Sequence, residues 1–142
     1  MTRKNGKSIV ISDASIKKSN EISMAKLNKG LTLNQMQLLS YAIFSTQKNG
    51  ATVFHKADFE KQFNIDEYRT NHARIDSEKL LDLKVSTLDL ANDCFEFLNV
   101  FTRMTYRKGT FVFEWNTNFL PHILDLKERY IINDLTVTAK FK

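Results

Sequence analysis

Three features of the sequence predict an α+β fold, a winged helix-turn-helix with a β-hairpin wing and additional C-terminal helices. Apolar residues recur at the helical period up to Leu83. The period changes from 3.6 to 2 after Lys84. A chain reversal is then marked by Arg107-Lys108-Gly109 between two apolar strands. In order, the chain reads helix, short strand, helix, turn, helix, hairpin, with the turn at Asn64-Ile65 and the wing over residues 94–115.

Leu31–Ser45 anchors this reading. Thr32 is placed to cap a helix, and Gln35, three residues on, completes a capping box. Leu31 before the cap and Met36 at the fourth helical position have the spacing of a hydrophobic staple. Met36, Leu39 and Ile43, flanked by Leu38 and Ala42, form one apolar stripe, and Asn49-Gly50 ends the segment. Before it, Asn20–Lys29 reads as a short helix capped by Asn20, with Ile22, Ala25 and Leu27 inward and Gly30 as terminator.

After it, Thr52-Val53-Phe54 is β-prone, and Ala57–Phe63 forms a helix with Phe59 and Phe63 on one face. Asp66–Leu83 is the second helix of the pair, its acids Asp66 and Glu67 at the end the dipole favours. Tyr68, Ala73 or His72, Ile75, Leu80 and Leu83 face inward. Val85–Leu90 is a strand and Ala91-Asn92-Asp93 a turn. Cys94–Tyr106 is one long strand, with Phe95, Phe97 and Phe101 on one face and Leu98 and Val100 on the other. Thr110–Trp115 returns beside it. Pro121–Glu128 is helical, with Pro121 in the first turn. Tyr130-Ile131-Ile132 is short, and Asp134–Lys142 starts a further helix.

The 142 residues suffice for one domain with a real core, and 42% hydrophobic with 26% charged residues describes a soluble globular chain. Eleven Phe predict an aromatic interior. The single cysteine, Cys94, excludes an internal disulfide and fits a cytoplasmic protein. No apolar run approaches the roughly 20 residues of a membrane span. Residues 1–19 carry five basic residues and one acid, against 16 basic and 15 acidic residues in the remainder. The basicity thus belongs mostly to this segment, read as a disordered tail ahead of a domain over 20–142. Such a tail suits nucleic acid or serves solubility.

The ordered words NEISMAKLNKGLTLNQMQLLSYAIF, FHKADFEKQFNI, FLNVF and FVFEWNTNFLPHILDLKERYI closely resemble the replication initiators of iteron-containing bacterial plasmids, in particular their first winged-helix domain. The resemblance runs from about Asn20 to Lys142. It implies a protein that binds directly repeated origin sequences in double-stranded DNA, recruits host replication factors as the full-length protein, and represses its own gene as a homodimer. This first domain would supply dimerisation and phosphate contacts, and a second winged-helix domain would read most of the bases. The pattern's abrupt end at Phe141-Lys142 agrees with a fragment of such a protein. Alternatives are a stand-alone winged-helix repressor and a pure dimerisation domain.

Six cations are candidates for DNA contact. Arg69, Arg74 and Lys79 lie on the second helix of the pair, but spacings of five turn successive residues by about 140° at 100° per residue. They are also interleaved with Asp76, Glu78 and Asp82. A solvated mixed-charge face is the competing reading. Arg103, Arg107 and Lys108 cluster at the hairpin with no acid among them, as phosphate contacts or as a charged edge against aggregation. Strand 94–106 is apolar on both faces. Its second face meets either the C-terminal helices or a second subunit, and Leu98, Val100 and Val112 are the candidate dimer residues.

His55, His72 and His122 lack metal-ligand spacing, and neither a G-x-x-x-x-G-K-[ST] loop nor a His-x-His pair is present. Neither catalytic residues, a metal site nor a cofactor is expected.

Overall fold

The computed structural model describes residues 22–131. Its elements are α1 (Met24–Asn28), α2 (Leu33–Ser45), β1 (Thr52–His55), α3 (Lys56–Phe63), α4 (Thr70–Leu81), β2 (Lys84–Asp89), β3 (Cys94–Asn99), β4 (Phe101–Arg107), β5 (Thr110–Trp115) and α5 (Leu120–Leu126). A π-helical turn, Lys127–Ile131, continues α5. The expected helix over Asp134–Lys142 and the basic segment 1–19 lie outside the described residues.

Local chemistry starts α2 as its sequence requires. Thr32 Oγ1 accepts from the Gln35 amide at 3.2 Å, and Gln35 Oε1 accepts from the Thr32 amide at 3.0 Å, so two orphan donors are satisfied reciprocally. Leu38, Leu39, Ala42 and Ile43 are wholly buried, while Met36 is only half-buried. The first helix is shorter than its pattern suggested. Ser23 caps it, its hydroxyl accepting from the Lys26 amide at 3.2 Å, and the predicted cap Asn20 lies outside the described residues. Ile22 and Leu27 are buried but Ala25 is exposed.

The second helix of the pair starts at Thr70 rather than Asp66. The Tyr68 amide donates to the Glu60 carboxylate of α3, which holds this stretch outside the helix. Arg69 then takes an extended conformation (ψ 153°) as the capping position. Asp66 and Glu67 therefore do not occupy the first turn. Tyr68 is buried ahead of the helix, and Ala73, Asp76 and Leu80 form its inner face. His72 and Ile75 are exposed. The turn between α3 and α4 begins at Asn64, which ends α3 in the left-handed conformation (φ 57°).

The expected single strand over 94–106 is two strands in two sheets. β3 pairs with β2, whereas β4 pairs with β5 in a three-stranded antiparallel sheet of order β1-β5-β4. Val100 is the joint: its N–H donates to Leu83 O (3.1 Å) and its carbonyl accepts from Asn116 N–H (2.9 Å). It thereby ties the base of one hairpin to the end of the other. A bulge between Phe101 and Arg103 adds a second irregularity. Phe101 consequently faces the core, not the side of Phe95 and Phe97.

The interior is aromatic. Phe54 stacks on Phe111 (centroids 4.9 Å) and Phe101 on Trp115 (4.2 Å), and Phe59 meets Tyr68 at 5.0 Å. Two polar contacts fix this packing. Trp115 Nε1 lies 2.8 Å from Thr52 Oγ1 and 3.0 Å from Thr46 Oγ1, so the buried indole N–H is satisfied between α2 and β1. Asp76 accepts from the Tyr68 hydroxyl and from Gln35 Nε2 (3.1 Å), locking α4 to α2.

Candidate nucleic-acid interface and the exposed hairpin

The wing is β4-β5. Its tip is a two-residue turn, Lys108 (φ 49°) and Gly109 (φ 88°), between the paired residues Arg107 and Thr110. Positive φ at both central residues is the type I′ geometry, whose twist matches that of the strands, and Gly109 adopts it without steric cost. Two further bonds seat the tip. Lys56 N–H donates to Gly109 O at 2.7 Å, and His55 Nδ1 lies 3.2 Å from Thr110 Oγ1. The wing tip and the start of α3 are thus one unit, so Lys56 and His55 stand beside Arg107 and Lys108. Sequence reasoning did not include them, because a separation of more than 50 residues leaves no local signal.

The six candidate cations do not form one patch. Arg69 is 3.6 Å from Glu67. Arg74 is held by Asn71 Oδ1 (3.1 Å) and Glu78 (3.6 Å). Arg103 is 3.8 Å from Glu114 on the neighbouring strand. All three pairs are well exposed, so each contributes little to stability, and a phosphate would compete for the same guanidinium. Lys79, Arg107 and Lys108 have no ion pair among the described residues. Arg74 borders a groove of ≈490 Å³ between α4 and the Met104–Tyr106 stretch of β4. Met104 packs against the core, whereas Arg103 is exposed beside it. Strand alternation therefore turns Arg103 and Arg107 toward the opposite face of the sheet.

The three candidate dimer residues also separate. Val100 is 0% exposed and belongs to the core, so it drops out of any surface. Leu98 is half-buried and pairs with Val85 on the inner side of β2-β3. Val112, also half-buried, lies on the other sheet between Val53 and Thr105. In their place the outer side of β2-β3 presents Leu88, Phe95 (63% exposed) and Phe97 (59%), with Leu90 (73%) at the tip. The Phe95 and Phe97 rings are 5.4 Å apart. The sequence did carry a signal for this face, since Phe95 and Phe97 alternate with Glu96. A strand continued through Val100 puts Phe101 on the same side as Phe95 and Phe97, whereas the break at Val100 turns Phe101 into the core and leaves the other two outside.

Burial raises the Tyr68 hydroxyl far above its ordinary pKa, and its bond to Asp76 and that carboxylate's charge act in the same direction. Tyr41 is raised too, by burial and then by the charge of Asp58.

A family model described as initiator replication protein, WH1, matches residues 15–142. The chain belongs to this family. It is a winged-helix domain of a plasmid replication initiator. A search of curated proteins finds no significant match. In this WH1 domain, α2, β1, α3, α4 and the β4-β5 wing make up the winged helix, and β2-β3 is an extra hairpin between α4 and the wing. Among the described residues no helix is long and apolar enough to cross a membrane.

Proposed function

We propose that this initiator domain dimerises and holds the phosphate backbone of double-stranded DNA at directly repeated origin sequences. Base reading and recruitment of host replication factors belong to the full-length protein. The observation that carries the reading is the wing tip. Arg107 and Lys108 stand at a two-residue turn braced against α3, with no ion pair among the described residues. The turn's backbone needs no further ordering before these cations meet a phosphate, and such contacts carry no sequence information. Arg103, Arg74, Arg69 and Lys79 are secondary contacts in this reading, because the three arginines must first release acidic or amide neighbours.

The dimer meets through the outer side of β2-β3. Four large apolar side chains are exposed there, and β3 has one unpaired edge among the described residues. A second copy related by a twofold axis would cover both. The internal pairing of Arg69, Arg74 and Arg103 favours one second reading, a dimerisation domain without DNA contact.

Fluorescence anisotropy on duplexes with and without direct repeats, over a salt series, separates the two readings. The expected result is similar, salt-sensitive binding to both duplexes. Arg107→Glu/Lys108→Glu should weaken binding equally on both and flatten the slope of log K against log salt by about 2, close to one unit per lost contact. Absence of binding at low salt would leave dimerisation alone.

A further inference from the structure

The three-stranded sheet has a second side, turned away from the core. In β1 its residues are Val53 and His55, which alternate with buried Thr52 and Phe54. In β5 they are Thr110, Val112 and Glu114, which alternate with buried Phe111, Phe113 and Trp115. Register sets Arg107, Thr105 and Arg103 of β4 opposite these three, while Met104 and Tyr106 pack on the core. Two side-chain contacts agree with this alignment. His55 Nδ1 lies 3.2 Å from Thr110 Oγ1, and Arg103 lies 3.8 Å from Glu114. Val53, His55, Arg103 and Arg107 are exposed, so this face is open. α4, with Arg74 and Lys79, lies on the other side of the sheet, beyond Met104 and Tyr106.

The chemistry of the open face is cationic. Arg103 and Arg107 stand on it, Lys108 follows at the tip, and Glu114 is its only acid. Between them are valines and threonines, whose short side chains keep the surface flat and let the arginines stand above it. Three strands are broader than the two-stranded ribbon that the roughly 12 Å major groove admits, so the face suits the phosphate backbone rather than base edges.

We propose that double-stranded DNA lies across this outer face of the sheet, not against α4. The proposal rests on the wing-tip contact with DNA and narrows its secondary contacts to Arg103. Arg107 and Arg103 hold phosphates along β4, and His55 extends the surface across to β1. With the Thr110 hydroxyl donating to Nδ1, the ring's Nε2–H is left to donate to a phosphate oxygen.

Fluorescence anisotropy of the whole chain on a duplex without repeats, at about 0.1 M salt where the Debye length is about 10 Å, tests this with matched substitutions. Glu114→Gln and Glu78→Gln each remove one exposed acid facing an arginine, on opposite sides of the sheet, and change the net charge equally. Glu114→Gln frees Arg103 and should tighten binding by about threefold or more, steepening the slope of log K against log salt by about 1. Glu78→Gln, which frees Arg74, should change affinity by less than about twofold, because its charge is screened from a duplex on the far side. Val53→Glu, at an exposed position, should weaken binding by about tenfold, and Lys79→Glu, a larger change in charge, should not. The inference fails if Glu78→Gln tightens binding as much as Glu114→Gln, if neither tightens it, or if Val53→Glu binds like the unaltered chain. Should Arg107→Glu/Lys108→Glu still weaken binding in any of these cases, the wing-tip contact stands and only the outer face is lost. Absence of binding by the unaltered chain at every salt concentration overturns both.

Discussion

Two antiparallel hairpins of this domain carry aromatic residues at alternate positions, and they meet opposite fates. In β5, Phe111, Phe113 and Trp115 are at most 6% exposed, while in β3, Phe95 and Phe97 are about 60% exposed. Alternation identifies a strand face, but it does not say whether anything covers that face. β5 is the central strand of its sheet, with α2 and α4 packed over its apolar side. β2-β3 is a two-stranded ribbon standing apart, and such a ribbon is marginal in water until a further surface packs on it. The winged-helix body is thus complete in itself, whereas the hairpin's outer face is not.

The largest effect is expected from removing a buried aromatic of the winged-helix body. Phe111→Ala should cost about 3–5 kcal/mol in denaturant unfolding, as expected for a wholly buried ring that stacks on Phe54 and contacts Tyr106 at 4.9 Å. A loss below about 1 kcal/mol would mean that the body is not the packed unit.

A smaller effect is expected within the body's polar lock. Tyr68→Phe removes the hydroxyl that donates to buried Asp76 and should cost about 1–3 kcal/mol. It should also change the response to alkali. Because the folded state raises the Tyr68 pKa above its ordinary value of 10.0, stability is retained below pH 10 and declines as pH rises past it. In Tyr68→Phe that decline should be shallower but not absent, because burial and then the charge of Asp58 also raise Tyr41. Identical alkaline unfolding curves for the two proteins would show that the Tyr68–Asp76 bond is not kept in solution.

The smallest change in stability is expected at the hairpin. Phe95→Ser/Phe97→Ser should shift the monomer's unfolding free energy by about 0.5 kcal/mol or less per site, since exposed rings leave little burial to lose. Solution mass, by light scattering, should nevertheless fall from dimer to monomer. A large loss of stability at unchanged mass would invert the comparison and make the hairpin part of the core.

How much of this was legible depends on the range of the interactions involved. Thr32, Gln35 and the following stripe specified α2, because a capping box acts over three residues and burial follows the helical period. The wing tip was equally readable, as Lys108-Gly109 is a local turn signal. The start of α4 was not, because Asp66–Arg69 are held out of the helix by Glu60 in the preceding one. Of the proposed site, Arg107 and Lys108 were visible as a charge cluster, but the acids paired with Arg103 and Arg69 were not recognised as their partners. The grouping of Leu98, Val100 and Val112 assumed a strand that the fold divides.

The sequence alone determined the order of elements, the capped central helix, the aromatic interior and the basic turn, all of which rest on contacts within a few residues or on simple periodicity. Tertiary structure decided the break at Val100, the separation of the hairpin from the sheet, the exposure of Phe95 and Phe97, and the neighbourhood of Lys56 and Lys108. Each depends on backbone hydrogen bonds between segments far apart in the chain, such as Val100 with Leu83 and Asn116 and Lys56 with Gly109. Period-2 patterning is the same on either side of such a break, so only the partner strand decides which face meets the core.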